Sequence, residues 1–158
     1  MLTVKLICCG KLKESFYKEA CAEYEKRLFA FCKLEVCRLP EEGGLDKEAV
    51  RIKEVIPQGA YTFAMCVEGK TVSSEELAAR FKQIQNSGIS KICFIIGSSE
   101  GLADSVKRQA DFRLSMSPMT FPHHLAQVMV LEQIYRALGL LAKLYLQFWL
   151  KLLIVVKF

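Results

Sequence analysis

Residues 92–124 read ICFIIGSSEGLADSVKRQADFRLSMSPMTFPHH, and the fold is decided in this stretch. Ile92, Cys93, Phe94, Ile95 and Ile96 form a continuous apolar run rich in β-branched residues, halted at Gly97-Ser98-Ser99. A run with no polar alternation predicts a strand buried on both faces that ends in a tight loop. Small residues there let backbone amides approach a ligand closely, because no side chain intervenes. After Gly101, residues 103–110 have helical spacing, residues 112–116 read as a second short strand, and residues 117–122 read as a loop. Two apolar strands, each followed by a loop of small residues or proline, aim both loops at the carboxyl edge of a sheet. Open α/β sheets bind their ligands at that edge.

Spacing alone does not name the ligand. A dinucleotide fingerprint needs G-x-G-x-x-G opening a helix, and Gly97-Ser98-Ser99-Glu100-Gly101 lacks both the spacing and the third glycine. The phosphate-loop pattern G-x-x-x-x-G-K-[ST] is absent as well. At this level a ligand site and a pair of buried strands with ordinary turns stand equally open.

Outward from this stretch, the chain alternates strand and helix. Residues 2–8 read as a strand ended by Gly10, and residues 13–28 as a helix with Phe16, Ala20, Tyr24 and Leu28 in its apolar stripe. Residues 32–39 give a second strand stopped at Pro40, and residues 41–46, with Gly43-Gly44, a flexible connection. A short helix over 47–56 ends at Pro57-Gln58-Gly59; a third strand over 61–67 leads into the turn Glu68-Gly69-Lys70. Ser73 and Glu76 form a capping box for a helix that runs to about residue 87, where Gly88 supplies the stop. This order predicts a single layered α/β domain with a mostly parallel sheet.

The bulk properties agree with one globular domain. The chain has 158 residues, 52% of them hydrophobic and 25% charged, which is long and apolar enough for a real core. A net charge of +5 permits an RNA partner without demanding one, since no dense Lys/Arg run appears. The first ten residues carry a single lysine, are too short for a secretory signal and read as the first strand. Seven cysteines lie at positions 8, 9, 21, 32, 37, 66 and 93, mostly within apolar runs, with no C-x-x-C pairs. They read as reduced core thiols of a cytoplasmic protein, and no metal site is expected.

The segments FIIGSSEGL and LSMSPMTFPHHLAQVMVLEQIYRA closely resemble the RlmH-type family of ribosomal large-subunit pseudouridine N3-methyltransferases. These belong to the SPOUT superfamily of S-adenosylmethionine-dependent enzymes, whose α/β fold carries a C-terminal trefoil knot. VKLICCGKLKESFYKEACAEYEKRL, the VEGK turn and SSEELA extend the resemblance to Ala137. It implies methylation of N3 of a pseudouridine in 23S ribosomal RNA, a homodimer, and S-adenosylmethionine held by three loops. Carried onto this chain, the donor-binding residues are Met65, Gly97, Met116, Ser117, Pro118, Met119, Thr120 and Phe121. Met65 taken by itself reads as a core residue. Serine at position 98 stands where the family commonly has a second glycine; it is tolerated if its φ is negative or its side chain has room.

His123 follows Pro122 at the start of the last helix and is the candidate for orienting the target base or taking its proton. The alternative is a histidine that caps the helix or bonds a carbonyl. Arg136 lies four residues after Glu132, and an ion pair between them is favoured over a phosphate contact. Leu125, Val128, Met129, Leu131 and Ile134 spread apolar surface around most of this helix, more than one sheet face needs, as a dimer interface would require.

The resemblance stops at Ala137, dividing a methyltransferase domain (1–137) from an atypical apolar C-terminal segment (138–158). The family ends in a short polar tail with a Tyr-His-basic motif, thought to serve RNA binding or catalysis. This chain instead reads LGLLAKLYLQFWLKLLIVVKF. A reading-frame change and a genuine extension would both produce such a segment. Residues 138–156 hold two charges, but Lys143, Gln147 and Lys151 recur at four-residue spacing. A helix with that narrow polar stripe reads as interfacial or partner-packed in preference to membrane-spanning. Without the polar motif, the second reading of the chain is a catalytically impaired relative that binds cofactor or RNA.

Overall fold

The structure, a computed structural model, describes the backbone of residues 1–156 and the side chains of residues 1–150. Its elements are β1 (Thr3–Cys9), α1 (Ser15–Leu28), β2 (Lys33–Leu39), α2 (Gly44–Val55), β3 (Tyr61–Thr71), α3 (Ser74–Asn86), β4 (Lys91–Ile96), α4 (Asp104–Gln109), β5 (Phe112–Ser115) and α5 (His123–Val156). The five strands form one sheet in the order β2-β1-β4-β3-β5, with every pairing parallel. β4 is central, and its residues from Ile92 to Ile96 are all buried.

Period-two alternation sorts the core into two layers. Val4, Leu6, Cys8, Ile92, Phe94 and Ile96 face one apolar cluster, and Ile7, Cys9, Cys93 and Ile95 face the other. The first cluster is covered by α1, α3 and α5, the second by α2 and α4. Phe63 on β3 stacks on Phe94 of β4 with ring centroids 4.6 Å apart. Burial pushes the Cys9 thiol up to about 11 and that of Cys93 up to about 12, as expected of thiols that serve as small hydrophobes.

Local chemistry explains most boundaries. The Ser73 hydroxyl accepts the Glu76 amide at 3.0 Å while the Glu76 carboxylate accepts the Ser73 amide at 2.6 Å, completing the anticipated capping box. Gly88 follows α3 with φ of +86°, the left-handed conformation that glycine adopts without strain. Asp111 accepts both the amide and the hydroxyl of Thr62 (2.7 and 2.8 Å) and donates its own amide back to that hydroxyl at 3.0 Å, tying β3 to β5.

Three details depart from the sequence reading. On α1, Phe16 is 61% exposed, and Tyr17 and Cys21 take the inward positions. α2 begins three residues earlier than expected, inside the Gly43-Gly44 pair. β3 does not stop at Glu68-Gly69-Lys70: its pairing with β5 shifts register between Met65 and Lys70, and both residues pair with Leu114.

α5 is continuous for 34 residues and crosses position 137 without a break. Leu138 and Leu141, from the segment set apart by sequence, belong to the same core as Leu131 and Ile134. From residue 142 to residue 150 every residue is exposed. By length and composition the stretch His123–Leu150 would suffice to cross a membrane, yet its first half is the core helix of this domain.

Candidate functional site

At the carboxyl edge of the sheet lies a cavity of about 730 Å³, within the usual range for small-molecule sites. Its walls come from the end of β3, the loop after β4, the loop after β5 and the first turns of α5. Met65, Gly97, Met116, Ser117, Met119, Thr120, Phe121 and His123, nominated on sequence grounds, all line it. Pro118 is exposed and does not contribute to the wall. A hollow of about 310 Å³ at the opposite edge, around Gln58 and Asp111, lies beside none of these residues.

Each loop is held by its own chemistry. The loop after β4 folds back on itself: the Gly101 amide donates to the Ser98 carbonyl at 2.9 Å, and these two residues form an isolated bridge. A Cβ on Gly97 would lie 2.1 Å from the Gly101 carbonyl oxygen. Glycine is therefore required by the loop's own packing, in addition to any approach of a ligand. Ser98 is buried with a φ outside the left-handed region, so the condition for tolerating serine there is met. In the loop after β5, the Ser117 hydroxyl accepts the Met119 amide at 3.0 Å, and the Ser115 hydroxyl donates to the Ser117 carbonyl at 2.9 Å.

The apolar wall is Met65, Ile96, Leu102, Leu114, Met116 and Phe121. Met65 answers to both readings, since it packs on the core and faces the cavity. The charged wall is Glu68 paired with Lys107, which sequence reasoning missed. Glu68 holds the Lys107 ammonium above the ordinary lysine range through a direct hydrogen bond. Periodicity gives no sign of this pair, because it joins the β3 register shift to a short helix 39 residues later.

His123 opens α5, whose first hydrogen bond runs from the Ala126 amide to the Pro122 carbonyl at 2.9 Å. Burial lowers the His123 pKa, with a further push from His124, whose ring centroid is 4.0 Å away; Glu41 and Glu48 oppose both. The imidazole is thereby kept neutral near pH 7, as a proton acceptor must be. Arg136 is engaged by Glu132, its Nε donating to the carboxylate at 2.9 Å, as the four-residue spacing led us to expect. Among the described residues no three His, Cys, Asp or Glu side chains converge as a metal site would require.

The cavity suits a small ligand: its volume is sufficient, its apolar wall can flank a planar ring, and the main chain of two loops borders it. A family model described as "Predicted SPOUT methyltransferase" matches residues 2–144. "Ribosomal RNA large subunit methyltransferase H" from Clostridioides difficile (strain 630) is 40% identical over 148 residues, spanning 86% of this chain and 93% of the relative. The protein of the same name from Bacillus pumilus (strain SAFR-032) has the same identity and spans. Among solved structures, a probable methyltransferase from Bordetella pertussis Tohama I superposes with a TM-score of 0.60 at 13% identity, covering 85% of this chain and 93% of that one.

Proposed function

This chain belongs to the SPOUT methyltransferase family, an α/β-knot family whose methyl donor is S-adenosylmethionine, and from that premise we propose that it methylates N3 of a pseudouridine in 23S ribosomal RNA. The observation that carries the reading is the convergence of three strand-end loops and His123 on one cavity, in a chain 40% identical to named ribosomal RNA methyltransferases.

Met65, Gly97, Met116, Ser117, Met119, Thr120 and Phe121 would hold the donor, with adenine between the apolar side chains and its polar edge on main-chain groups. Pro118, exposed and off the cavity wall, is left out of this set. The bound donor supplies an already activated sulfonium methyl group. What remains for the protein is to align acceptor and donor and to exclude water. The N3–H of pseudouridine is a weak acid, and His123, its pKa lowered by burial, would take that proton. The target base must be accessible or flipped out to reach the cavity. The protein works in the cytoplasm, where ribosomes and donor are found.

A homodimer completes the reading. Leu131 and Ile134 are used within the domain, but Leu125, Val128 and Met129 remain half-buried and leave apolar surface for a second copy. Such an interface would bury about 1,500 Å² or more in total. The methyltransferase unit assigned to residues 1–137 also takes in Leu138 and Leu141, which close its core.

The test is transfer of tritiated methyl from S-adenosylmethionine to ribosomes lacking this modification, followed by mass spectrometry of the nucleosides. Label at N3 of pseudouridine is expected. Label on a different base, or none while the donor still binds, would overturn the assignment of substrate.

A further inference from the structure

The loop between β2 and α2, read from sequence as a flexible connection, reaches the start of α5 and sets Glu41 there. The two oxygens of this carboxylate have different partners. Oε1 accepts the Ser99 amide at 3.0 Å and the Ser99 hydroxyl at 2.8 Å. Oε2 stands 3.4 Å from Nε2 of His123, a buried nitrogen with no hydrogen bond of its own. That separation is slightly long for a formed bond, and catalytic contacts often tighten only when substrate is in place. Gly10 makes the meeting possible. A Cβ there would lie 2.9 Å from Glu41 Oε2 and 3.0 Å from His123 Nε2, and its φ of +94° favours glycine independently.

We propose that Glu41 is a positioning residue for methyl transfer, one oxygen bracing the donor loop through Ser99 and the other orienting His123 toward the acceptor base. The proposal rests on the reading of His123 as the proton acceptor. A carboxylate that only closed the Ser99 loop would need one oxygen; here the second faces an imidazole nitrogen that otherwise has no partner. With its proton on Nε2 donated toward Glu41, the imidazole keeps the Nδ1 lone pair free. The N3 proton of the base then passes to Nδ1, and the carboxylate stays ionised and stabilises the imidazolium. The Ser99 hydrogen bonds hold the Glu41 carboxyl below its ordinary range, which favours the charged form. The other titratable groups around His123 are Glu48 on α2 and His124 beside it on α5, the latter 3.7 Å from Glu14.

Glu41→Gln separates the two tasks, because the amide oxygen still accepts from Ser99 while the charge is lost. By NMR of labelled histidine, the His123 titration is expected to move down by roughly one pH unit, the scale of a neighbouring opposite charge. The acidic limb of the single-turnover rate profile should move down with it, and the plateau should fall about tenfold, the lower range for losing support of a general base. Donor affinity should change by less than about threefold. In Glu41→Ala, which also frees Ser99, donor affinity should fall by about tenfold, the scale of one charge-assisted hydrogen bond. If Glu41→Gln leaves both the titration and the rate profile unchanged while His123→Ala is slow, Glu41 has no positioning role and the inference fails alone. If His123→Ala keeps full turnover, the base reading fails and takes the role of Glu41 with it.

Discussion

The two halves of α5 both carry large apolar side chains, and as far as residue 150 these meet opposite fates. In the first, Val130, Leu131, Ile134 and Ala137 are no more than 2% exposed, held beneath α1 and α3. In the second, Leu146 and Phe148 are each 62% exposed and Trp149 60%. Hydrophobicity is a property of the residue, but burial depends on whether other elements meet it. α1 and α3 cover α5 as far as Leu141, and no described element covers it beyond. An exposed apolar surface of this kind marks a contact or an aggregation liability.

The largest expected contrast between the halves is in stability. Leu131→Ala removes a fully buried side chain and should cost about 3 kcal/mol in urea unfolding, whereas Phe148→Ala should stay within about 0.5 kcal/mol. Similar losses would mean that the second half is buried in solution, against a partner or another copy. Light scattering at micromolar concentration would then identify the copy, and a monomer mass would count against the proposed dimer altogether.

Gly97→Val comes next, probing the ground beside the first half. The added carbons have no room against the Gly101 main chain, so donor binding should fall by at least about a hundredfold in calorimetric titration, by analogy with overpacking of about 3 kcal/mol. Unchanged affinity would remove the loop after β4 from the site.

A smaller effect tests whether the second half matters to the reaction at all. As it stands, the chain should bind donor yet transfer methyl slowly, because the polar tail that the family resemblance leads us to expect is replaced here by an apolar segment. Exchanging the residues after Ala137 for a polar tail ending in Tyr-His-Lys should raise turnover about tenfold in the tritium assay, on the scale of one phosphate-type contact. Leu138 and Leu141 would be lost in that exchange, so a second variant that keeps the chain through Leu141 controls for the core. Equal rates in all three would show that the core alone carries the reaction.

The smallest change belongs to Arg136, on the outer face of the first half. Arg136→Ala should leave turnover intact and lower the melting temperature slightly, a difference that added salt erases. A large loss of ribosome binding would instead make it a phosphate contact.

Legibility in the sequence followed the range of the interaction. The buried strand over 92–96 and the Ser73–Glu76 capping box are local patterns, and both were readable. The α1 face was misplaced because Phe16, Ala20, Tyr24 and Leu28 keep a strict four-residue step. At 100° per residue, each such step drifts about 40° around the helix, which takes Phe16 off the face that Leu28 occupies. Tyr17, Cys21, Tyr24 and Leu28 alternate steps of four and three and stay on one side. The cavity's three loops were found through the likeness of motifs, whereas Glu41 was passed over. Its partner Ser99 is 58 residues away, and the glycines beside it have the composition of a linker. Lys107 and Glu68 were missed for the same reason: charge pairing across a fold leaves no period in the chain.

The strand order also governs the timing of the molecule's birth. β1 and β2 are neighbours in both sequence and sheet, so they can pair once the helix between them has left the ribosome. β3 has no such companion, since its two neighbours are β4 and β5, both made later. Nineteen residues lie between the end of β3 at Thr71 and the start of β4 at Lys91. At roughly 5–20 residues per second, β3 waits about one to four seconds with Phe63 and its edges uncovered. Through that interval the nascent chain is a half-sheet missing its centre, the stage at which a chaperone would have most to hold.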